Sequence, residues 1–240
     1  GAAALIANRT AIGPWEKFYI NQSVRSDGPK PVLFVHGYSD ASTSNCPGVW
    51  GEAVNYYATH GWSNVPRRTV KYYSNDQGCT FDGSIGLAAD VNTNITELGR
   101  RFAWSIFYEY TRFGVSVDVV AHSMGGLITR AAVTGIHNPR PGYGSWPPYL
   151  YIEDVSTLGT PYQGYSICAP GSVQQCIDMA PSSPFLNWLA AHPNPAASGV
   201  GADWTLIASG ADGFPCCVTS GSALNLNATA AAGSKLVRWS

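Results

Sequence analysis

One short segment, Val119–Gly126, constrains the fold more than any other part of the chain. It reads V-V-A-H-S-M-G-G and joins a β-branched run to an apolar stretch that continues to Val133. This order predicts a buried strand, a sharp turn at Ser123 and a helix. Small residues stand two positions before and after the serine, at Ala121 and Gly125, where such a turn crowds the strand against the helix. A serine here also suits a helix N-cap, but the whole strand–turn–helix pattern favours a nucleophile.

A nucleophilic serine needs hydrogen-bond donors for the oxyanion that its attack creates. The backbone N–H of Met124, directly after the serine, is the first donor that the pattern predicts. The second is expected from the loop after an earlier strand, where His36 and Gly37 precede Tyr38. A glycine there lets the backbone approach a substrate, and the backbone N–H of Tyr38 is the predicted second donor.

Strands alternate with helices along the rest of the chain. Apolar runs predict strands at residues 31–35, 68–73, 115–120, 149–158, 204–209 and 236–239. Helical periodicity predicts helices at residues 50–60, 85–113, 124–138 and 185–191, the second with Leu87 and Val91 on its apolar face. The remainder of 161–203 is predicted irregular. Uniformly apolar strands that alternate with helices predict an α/β fold, in which a mostly parallel sheet is covered by helices on both faces.

Composition narrows the class of protein. The formal net charge is −1 and 12% of the residues are charged, so no basic surface suggests a nucleic-acid partner. No apolar run is long enough to cross a bilayer. Six cysteines in loops, without metal-ligand spacing, predict disulfides and a secreted protein. We expect the pairs Cys46–Cys79 and Cys168–Cys176, with Cys216 and Cys217 either joined to each other or paired elsewhere. The sequence offers no metal or cofactor site.

The acid of a catalytic triad is predicted after a later strand. Asp212 lies just past the run that ends at Ser209, where a parallel sheet carries its functional loops. Asp-Gly also favours an ordinary turn, so a structural role for Asp212 stays open. Asp154 is the competitor, although a carboxylate inside a strand is unfavourable unless it is paired. Asp178 and Asp203 have the pattern of loop residues.

The general base is the part that the sequence does not supply in a fitting position. In this architecture the chain order is Ser, then Asp, then His. No histidine follows Asp212. The five histidines are predicted to lie elsewhere. His36 and His122 flank the oxyanion donors, His60 and His137 end helices, and His192 lies in the irregular region.

These motifs resemble those of the α/β-hydrolase family, and within it the secreted bacterial and fungal lipases. The A-H-S-M-G elbow is similar to that of small Bacillus lipases, and V-H-G and T-L-G-T-P at residues 35–37 and 157–161 also recur in lipases. The segments at residues 179–186 and 204–212 resemble actinobacterial lipases and their lipase B-like relatives. The resemblance implies that Ser123 is the nucleophile, that Asp212 is the acid, and that a histidine follows the last strand.

The resemblance therefore implies a single α/β-hydrolase domain over residues 1–240 that lacks its extreme C-terminal segment. A separate C-terminal fragment would then supply the histidine. The expected activity is that of a secreted lipase on acylglycerols or similar lipid esters, with transient contact at a lipid interface. The acyl pocket is expected to be lined by apolar side chains of one short helix, namely Phe185, Leu186, Trp188 and Leu189.

Two other interpretations remain. One is an esterase or thioesterase for small acyl substrates, which a lid and a wide apolar mouth would argue against. The other is a catalytically silent hydrolase fold that binds an apolar ligand or a protein, which the missing catalytic histidine favours and the intact elbow does not. The cluster at residues 185–189 also suits ordinary core packing.

Overall fold

A computed structural model describes residues 30–165, 173–192, 202–209 and 235–239. The strands are β1 (Val32–Val35), β2 (Arg67–Lys71), β3 (Phe81–Asp82), β4 (Val117–His122), β5 (Ile152–Leu158), β6 (Asp203–Ser209) and β7 (Lys235–Trp239). The helices are α1 (Cys46–Thr59), α2 (Ile95–Glu109), α3 (Met124–His137), α4 (Gln174–Met179) and α5 (Pro184–Ala190), with a 3-10 turn at Thr111–Phe113.

The seven strands form one sheet in the order β3-β2-β1-β4-β5-β6-β7, and every neighbouring pair is parallel. The predicted α/β class with a parallel sheet is therefore confirmed. Because all strands run the same way, their C-terminal ends meet at one edge, here called the carboxyl edge. β4 lies at the centre, and Ser123 follows it directly.

Both faces of the sheet are covered, as alternate residues of β1 show. Leu33 and Val35 belong to the large core that α2 and α3 close on one face. Val32 and Phe34 pack on the other face against Trp50 of α1, and the ring centroids of Phe34 and Trp50 are 5.4 Å apart. This burial on two faces explains why the strand sequence is apolar throughout rather than alternating.

The second helix is shorter than the sequence predicts. The predicted range was 85–113, but α2 begins at Ile95 because the Asn94 side chain caps it by accepting the Glu97 N–H at 2.8 Å. Leu87, expected on the apolar face, lies in a preceding turn and is 46% exposed. The apolar spacing of residues 87–91 matched a helix by coincidence, since Ile85 and Gly86 adopt positive φ and break it.

Other differences are local. α1 begins four residues before its predicted start, since the Asn45 side chain caps it and Pro47 suits its first turn. The two-residue strand β3 and the six-residue helix α4 were missed, because elements this short carry too little periodicity to detect. Among the described residues, no helix has both the length and the apolar character that a membrane span requires.

The cysteine prediction is confirmed where the structure describes it. Cys46 and Cys79 form a disulfide. Cys176 is also disulfide-bonded, and its predicted partner Cys168 lies outside the described residues. Cys216 and Cys217 lie outside them as well.

Candidate active site

Ser123 occupies a strained turn between β4 and α3. Its φ of 52° and ψ of −126° are unusual for a residue with a side chain. The turn is held by three hydrogen bonds: the Ser123 N–H donates to the Leu158 carbonyl at 2.8 Å, and the Ser123 carbonyl accepts from the Gly126 N–H and from the Thr160 hydroxyl, both at 3.0 Å. The predicted sharp turn is therefore present, and neighbouring elements hold it.

The small residues after the serine are explained by close contacts with other elements. A Cβ on Gly125 would lie 2.5 Å from the carbonyl oxygens of Val35 and His36, at the end of β1. A Cβ on Gly126 would lie 2.1 Å from the Thr160 hydroxyl oxygen. Both glycines let α3 start directly against the carboxyl edge, so the helix N-terminus points at the position of Ser123.

The two segments that carry the predicted oxyanion donors both adjoin the serine. Met124 is buried and is the first residue of α3, where backbone N–H groups have no acceptor within their own helix. On the other side is the loop after β1, which contains Gly37 and Tyr38. A Cβ on Gly37 would lie 2.9 Å from the Ser123 Cβ, so this loop packs directly on the serine.

Tyr38 itself is partly buried. Its hydroxyl oxygen lies 3.5 Å from the Cys176 sulfur of α4. Burial raises the pKa of Tyr38 above its usual value, and the nearby Asp40 carboxylate raises it further. The side chain thus connects the loop after β1 with α4.

The structure adds a buried pair that sequence reasoning missed. The His36 Nε2 donates to the Asp76 Oδ2 at 2.9 Å, and both side chains are almost fully buried. Asp76 follows β2, so tertiary pairing of β1 with β2 brings it to His36. No local sequence signal joins two residues that are forty positions apart. The His36 ring is therefore held against Asp76.

The other four histidines lie in different surroundings. His60 ends α1, where it stacks on Tyr56. His137 ends α3, roughly 20 Å along that helix from Ser123. The His192 Nδ1 lies 2.8 Å from the Trp188 carbonyl. His122 is exposed beside Ser123, with its ring against Gly37.

The predicted acid, Asp212, lies outside the described residues, so its role stays a prediction. Its competitor, Asp154, lies in β5 four residues before Leu158, which pairs with His122. That spacing puts Asp154 about 13 Å from the carboxyl edge. Asp203 pairs with Asp154 at the same remote end. Asp178 accepts the Ile95 N–H at 2.7 Å and so supports the start of α2. These positions disfavour all three carboxylates as the acid of a triad that contains Ser123.

The predicted acyl-pocket residues lie on α5. Phe185, Leu186 and Leu189 are buried in the large core, and Trp188 packs against it. The Arg130 side chain of α3 donates to the Leu189 carbonyl at 2.7 Å. Burial lowers the pKa of Arg130 to about 10. α5 is therefore anchored to the helix that carries Ser123, which is typical of core packing, and its part in substrate binding stays a prediction.

Comparison with known proteins gives a family match and a fold match. The model of the family described as Lipase (class 2) matches residues 29–142, a span that contains β1, β4, Ser123 and α3. A lipase-esterase related protein from Clostridium acetobutylicum has a TM-score of 0.52 at 11% identity, over 89% of this chain and 86% of its own. No curated protein matches the sequence.

Two further solved structures are longer proteins. Lipase B from Aspergillus fumigatus has a TM-score of 0.50 at 15% identity, over 78% of this chain and 38% of its own. Lipase BlEst2 from Bacillus licheniformis, in its propeptide form, has a TM-score of 0.47 at 19% identity, over 77% of this chain and 37% of its own. The chain thus spans little more than a third of these two proteins.

Proposed function

We propose that the chain is an ester hydrolase of the lipase class and that Ser123 is its nucleophile; the lipase family model that matches residues 29–142 supports this. The observation that carries the proposal is the strained serine at the first turn of α3, with the Gly37 loop packed on it. Holding a serine at positive φ costs free energy. That cost is explained when the serine Oγ must project above the sheet towards a substrate.

The proposed reaction is acyl transfer through two tetrahedral intermediates. The Ser123 Oγ attacks the ester carbonyl, its proton passes to a general base, and the alcohol leaves with that proton. The N–H groups of Met124 and Tyr38 stabilise the oxyanion. Water, deprotonated by the same base, then releases the carboxylic acid. Asp212 orients the base.

The base itself is proposed from the resemblance rather than from the geometry. A histidine from a C-terminal segment would complete the triad, and this remains a prediction. The intact mass of the purified, denatured full-length protein tests it directly. A histidine-containing peptide that accompanies residues 1–240 or is continuous with them, and without which activity is lost, would support the prediction. Full activity of a preparation that contains only residues 1–240 would contradict it.

The first experiment for Ser123 is labelling with a serine-directed phosphonate, followed by peptide mapping. We expect a single adduct on Ser123, and loss of both labelling and ester hydrolysis in Ser123→Ala. Ser116→Ala is the control, since that serine is buried and lies just before β4, away from the elbow. Unchanged hydrolysis by Ser123→Ala would refute the proposal. A protein that takes no label and hydrolyses no ester would instead support the silent binding protein.

The substrate class is proposed as acylglycerols or similar lipid esters, with small acyl esters or thioesters as the alternative. The match to a lipase family model supports the first. Comparison of p-nitrophenyl butyrate, p-nitrophenyl palmitate and tributyrin emulsions separates the two. A higher kcat/KM on long chains, and a rise in rate above the solubility limit of tributyrin, would support a lipase. A preference for butyrate without that rise would support an esterase.

We also propose that the protein acts outside the cytosol. The Cys46–Cys79 disulfide supports this, because structural disulfides persist in oxidising compartments. Fractionation of the source cells, with detection of the chain by an antibody, tests it. Detection in the culture medium is expected, and retention in the cytosol with reduced cysteines would contradict it.

A further inference from the structure

The peptide unit between Gly37 and Tyr38, which carries the second proposed oxyanion donor, is held by hydrogen bonds to its carbonyl oxygen. The Gly37 carbonyl and the Tyr38 N–H belong to one planar peptide unit and point in opposite directions. The Tyr72 hydroxyl donates to the Gly37 carbonyl, and also to the His36 carbonyl at 3.1 Å. Whatever holds the Gly37 carbonyl therefore also sets the direction of the Tyr38 N–H.

Tyr72 is itself well placed to hold a fixed position. Its side chain is fully buried, and its ring stacks on His36 with centroids 4.1 Å apart. Burial raises the pKa of Tyr72 well above its usual value, so the hydroxyl stays a protonated donor throughout the range in which ester hydrolysis is measured. The Nδ1 of His36 lies 2.9 Å from the same Gly37 carbonyl oxygen.

Asp76 anchors this arrangement. Its Oδ2 accepts the N–H groups of Tyr72 at 3.0 Å and Tyr73 at 2.9 Å, and the His36 Nε2 at 2.9 Å. Its Oδ1 accepts the Ser44 N–H at 2.7 Å. A buried carboxylate is tolerated when hydrogen bonds satisfy it, and here four donors do so. Asp76 thereby ties the loop after β1 to the loop after β2.

The loop has little room to move on its other side. His36 and Gly37 lie against α3, as the close approaches of Gly37 to Ser123 and of Gly125 to the His36 carbonyl show. The peptide plane is thus confined between Ser123 and Tyr72. The remaining freedom is rotation of that plane, which the Tyr72 hydroxyl opposes.

We propose that Tyr72, anchored by Asp76, is a positioning residue for ester hydrolysis: by holding the Gly37 carbonyl, it aims the Tyr38 N–H at the oxyanion. The inference rests on the proposed roles of Ser123 and Tyr38. Neither Tyr72 nor Asp76 touches the substrate. Their effect is confined to the transition state, where the oxyanion carries its charge.

The test compares Tyr72→Phe with Tyr110→Phe in the full-length protein. Tyr72→Phe keeps the stacked ring and removes only the hydroxyl. Tyr110 also offers a hydroxyl to a hydrogen bond, from Arg68, but it follows α2 at the opposite edge of the sheet. Rates on p-nitrophenyl butyrate are divided by the number of sites that a phosphonate titrates, so that unfolded protein does not count.

We expect Tyr72→Phe to lower kcat per titrated site by roughly 10- to 100-fold, less than the loss of a whole oxyanion donor, and to change KM by less than about 3-fold. The ³¹P resonance of the phosphonylated serine should shift, because the phosphoryl oxygen occupies the oxyanion position. Tyr110→Phe should leave both kcat and the resonance within error of the wild type. A kcat and a resonance in Tyr72→Phe equal to those of Tyr110→Phe would overturn the proposal.

A second variant guards against misfolding of the first. Asp76→Asn keeps the size of the side chain and removes its charge. Asp82→Asn is its control, because the Asp82 carboxylate also accepts backbone N–H groups, those of Ser84 and Gly86. The same loss of kcat is expected for Asp76→Asn only. Failure of the proposed function gives a different result from failure of the positioning proposal. If Ser123 is not the nucleophile, Ser123→Ala keeps its activity or the wild type takes no phosphonate.

Discussion

The fit between Gly37 and Ser123 shows how the site depends on single atoms. A methyl group on Gly37 would meet the Ser123 Cβ at 2.9 Å and the His122 Nδ1 at 3.2 Å. Either the loop after β1 or the serine would have to move. The absence of a side chain at this one position is what lets two segments of distant sequence form one surface.

We predict that Gly37→Ala lowers kcat by about 100-fold, because a displacement of about 1 Å in a catalytic group can cost that much. The change should be measured per phosphonate-titrated site, with the thermal midpoint recorded in parallel. Gly144→Ala is the control, since its Cβ would meet only ordinary contacts with Arg100 at 3.5 Å. Equal kcat values in the two variants would show that the close approach does not matter.

Asp118 makes a pH-dependent contribution to stability at the remote end of β4. Burial, together with the nearby Asp154 carboxylate, raises its pKa from a usual 3.8 to about 6. A carboxyl with a raised pKa in the folded state stabilises the fold below its unfolded pKa, and this contribution is lost as the pH rises through 6.

We therefore predict that Asp118→Asn raises the free energy of unfolding by about 1 kcal/mol at pH 8, after allowance for solvent screening, and barely changes it at pH 4. Urea unfolding at the two pH values measures this. Glu52→Gln, at an exposed position of α1, serves as the control. An equal gain for Asp118→Asn at both pH values would rule out titration as the cause.

At the scale of elements, the packing of α2 on α3 sets the position of the elbow helix. Gly99 of α2 faces α3 so closely that a Cβ there would lie 2.6 Å from the Ala131 Cβ and 3.0 Å from the Ala132 nitrogen. The two helices can approach to this distance only because these positions carry minimal side chains. α3 is consequently held along its length, which keeps its N-terminus below Ser123.

Gly99→Ala should destabilise the fold by about 1–3 kcal/mol, because added volume forces apart two packed helices. Gly51→Ala, in α1, is the matched control, because no atom lies within 4 Å of the methyl group that it adds. There the better helix propensity of alanine should stabilise by about 0.5–1 kcal/mol. The shift of the denaturant midpoint from that of the wild type measures each effect. A shift in the same direction in both variants would contradict the packing argument.

At the scale of the whole molecule, the Cys46–Cys79 disulfide joins the start of α1 to the loop before β3. It closes a segment with a sequence separation of 33 residues. Two hydrogen bonds run beside it, from the Cys46 N–H to the Gln77 carbonyl and from the Gln77 N–H to the Ser44 carbonyl. The crosslink thus holds together the two loops that Asp76 also bridges.

The double variant Cys46→Ala/Cys79→Ala should lose about 3–4 kcal/mol of unfolding free energy, as the chain-entropy estimate gives for a loop of this length. Denaturant unfolding measures it without touching the disulfide of Cys176. Because hydrogen bonds also hold the two loops, the folded variant should keep its kcat per titrated site. A fall in kcat with unchanged stability would assign the crosslink to the site instead.

Local sequence was enough to predict the parallel α/β sheet, the elbow at Ser123 and the loop that carries Tyr38. Each of these leaves a mark over a few neighbouring residues: an apolar run, a small residue at a turn, or a helix-forming stretch. The start of α2 and the element α4 were missed, because a side-chain cap and a single turn of helix leave only weak periodicity.

The sequence by itself determined most of the strands and helices and where the serine turns, because those choices depend on the burial and backbone preferences of adjacent residues. Only the tertiary structure decided which distant groups meet. It placed Asp76 and Tyr72 behind the Gly37 peptide, and it separated Asp154 from the carboxyl edge. The reason is strand order and register, which bring residues together across the sheet and leave no signal between neighbours along the chain.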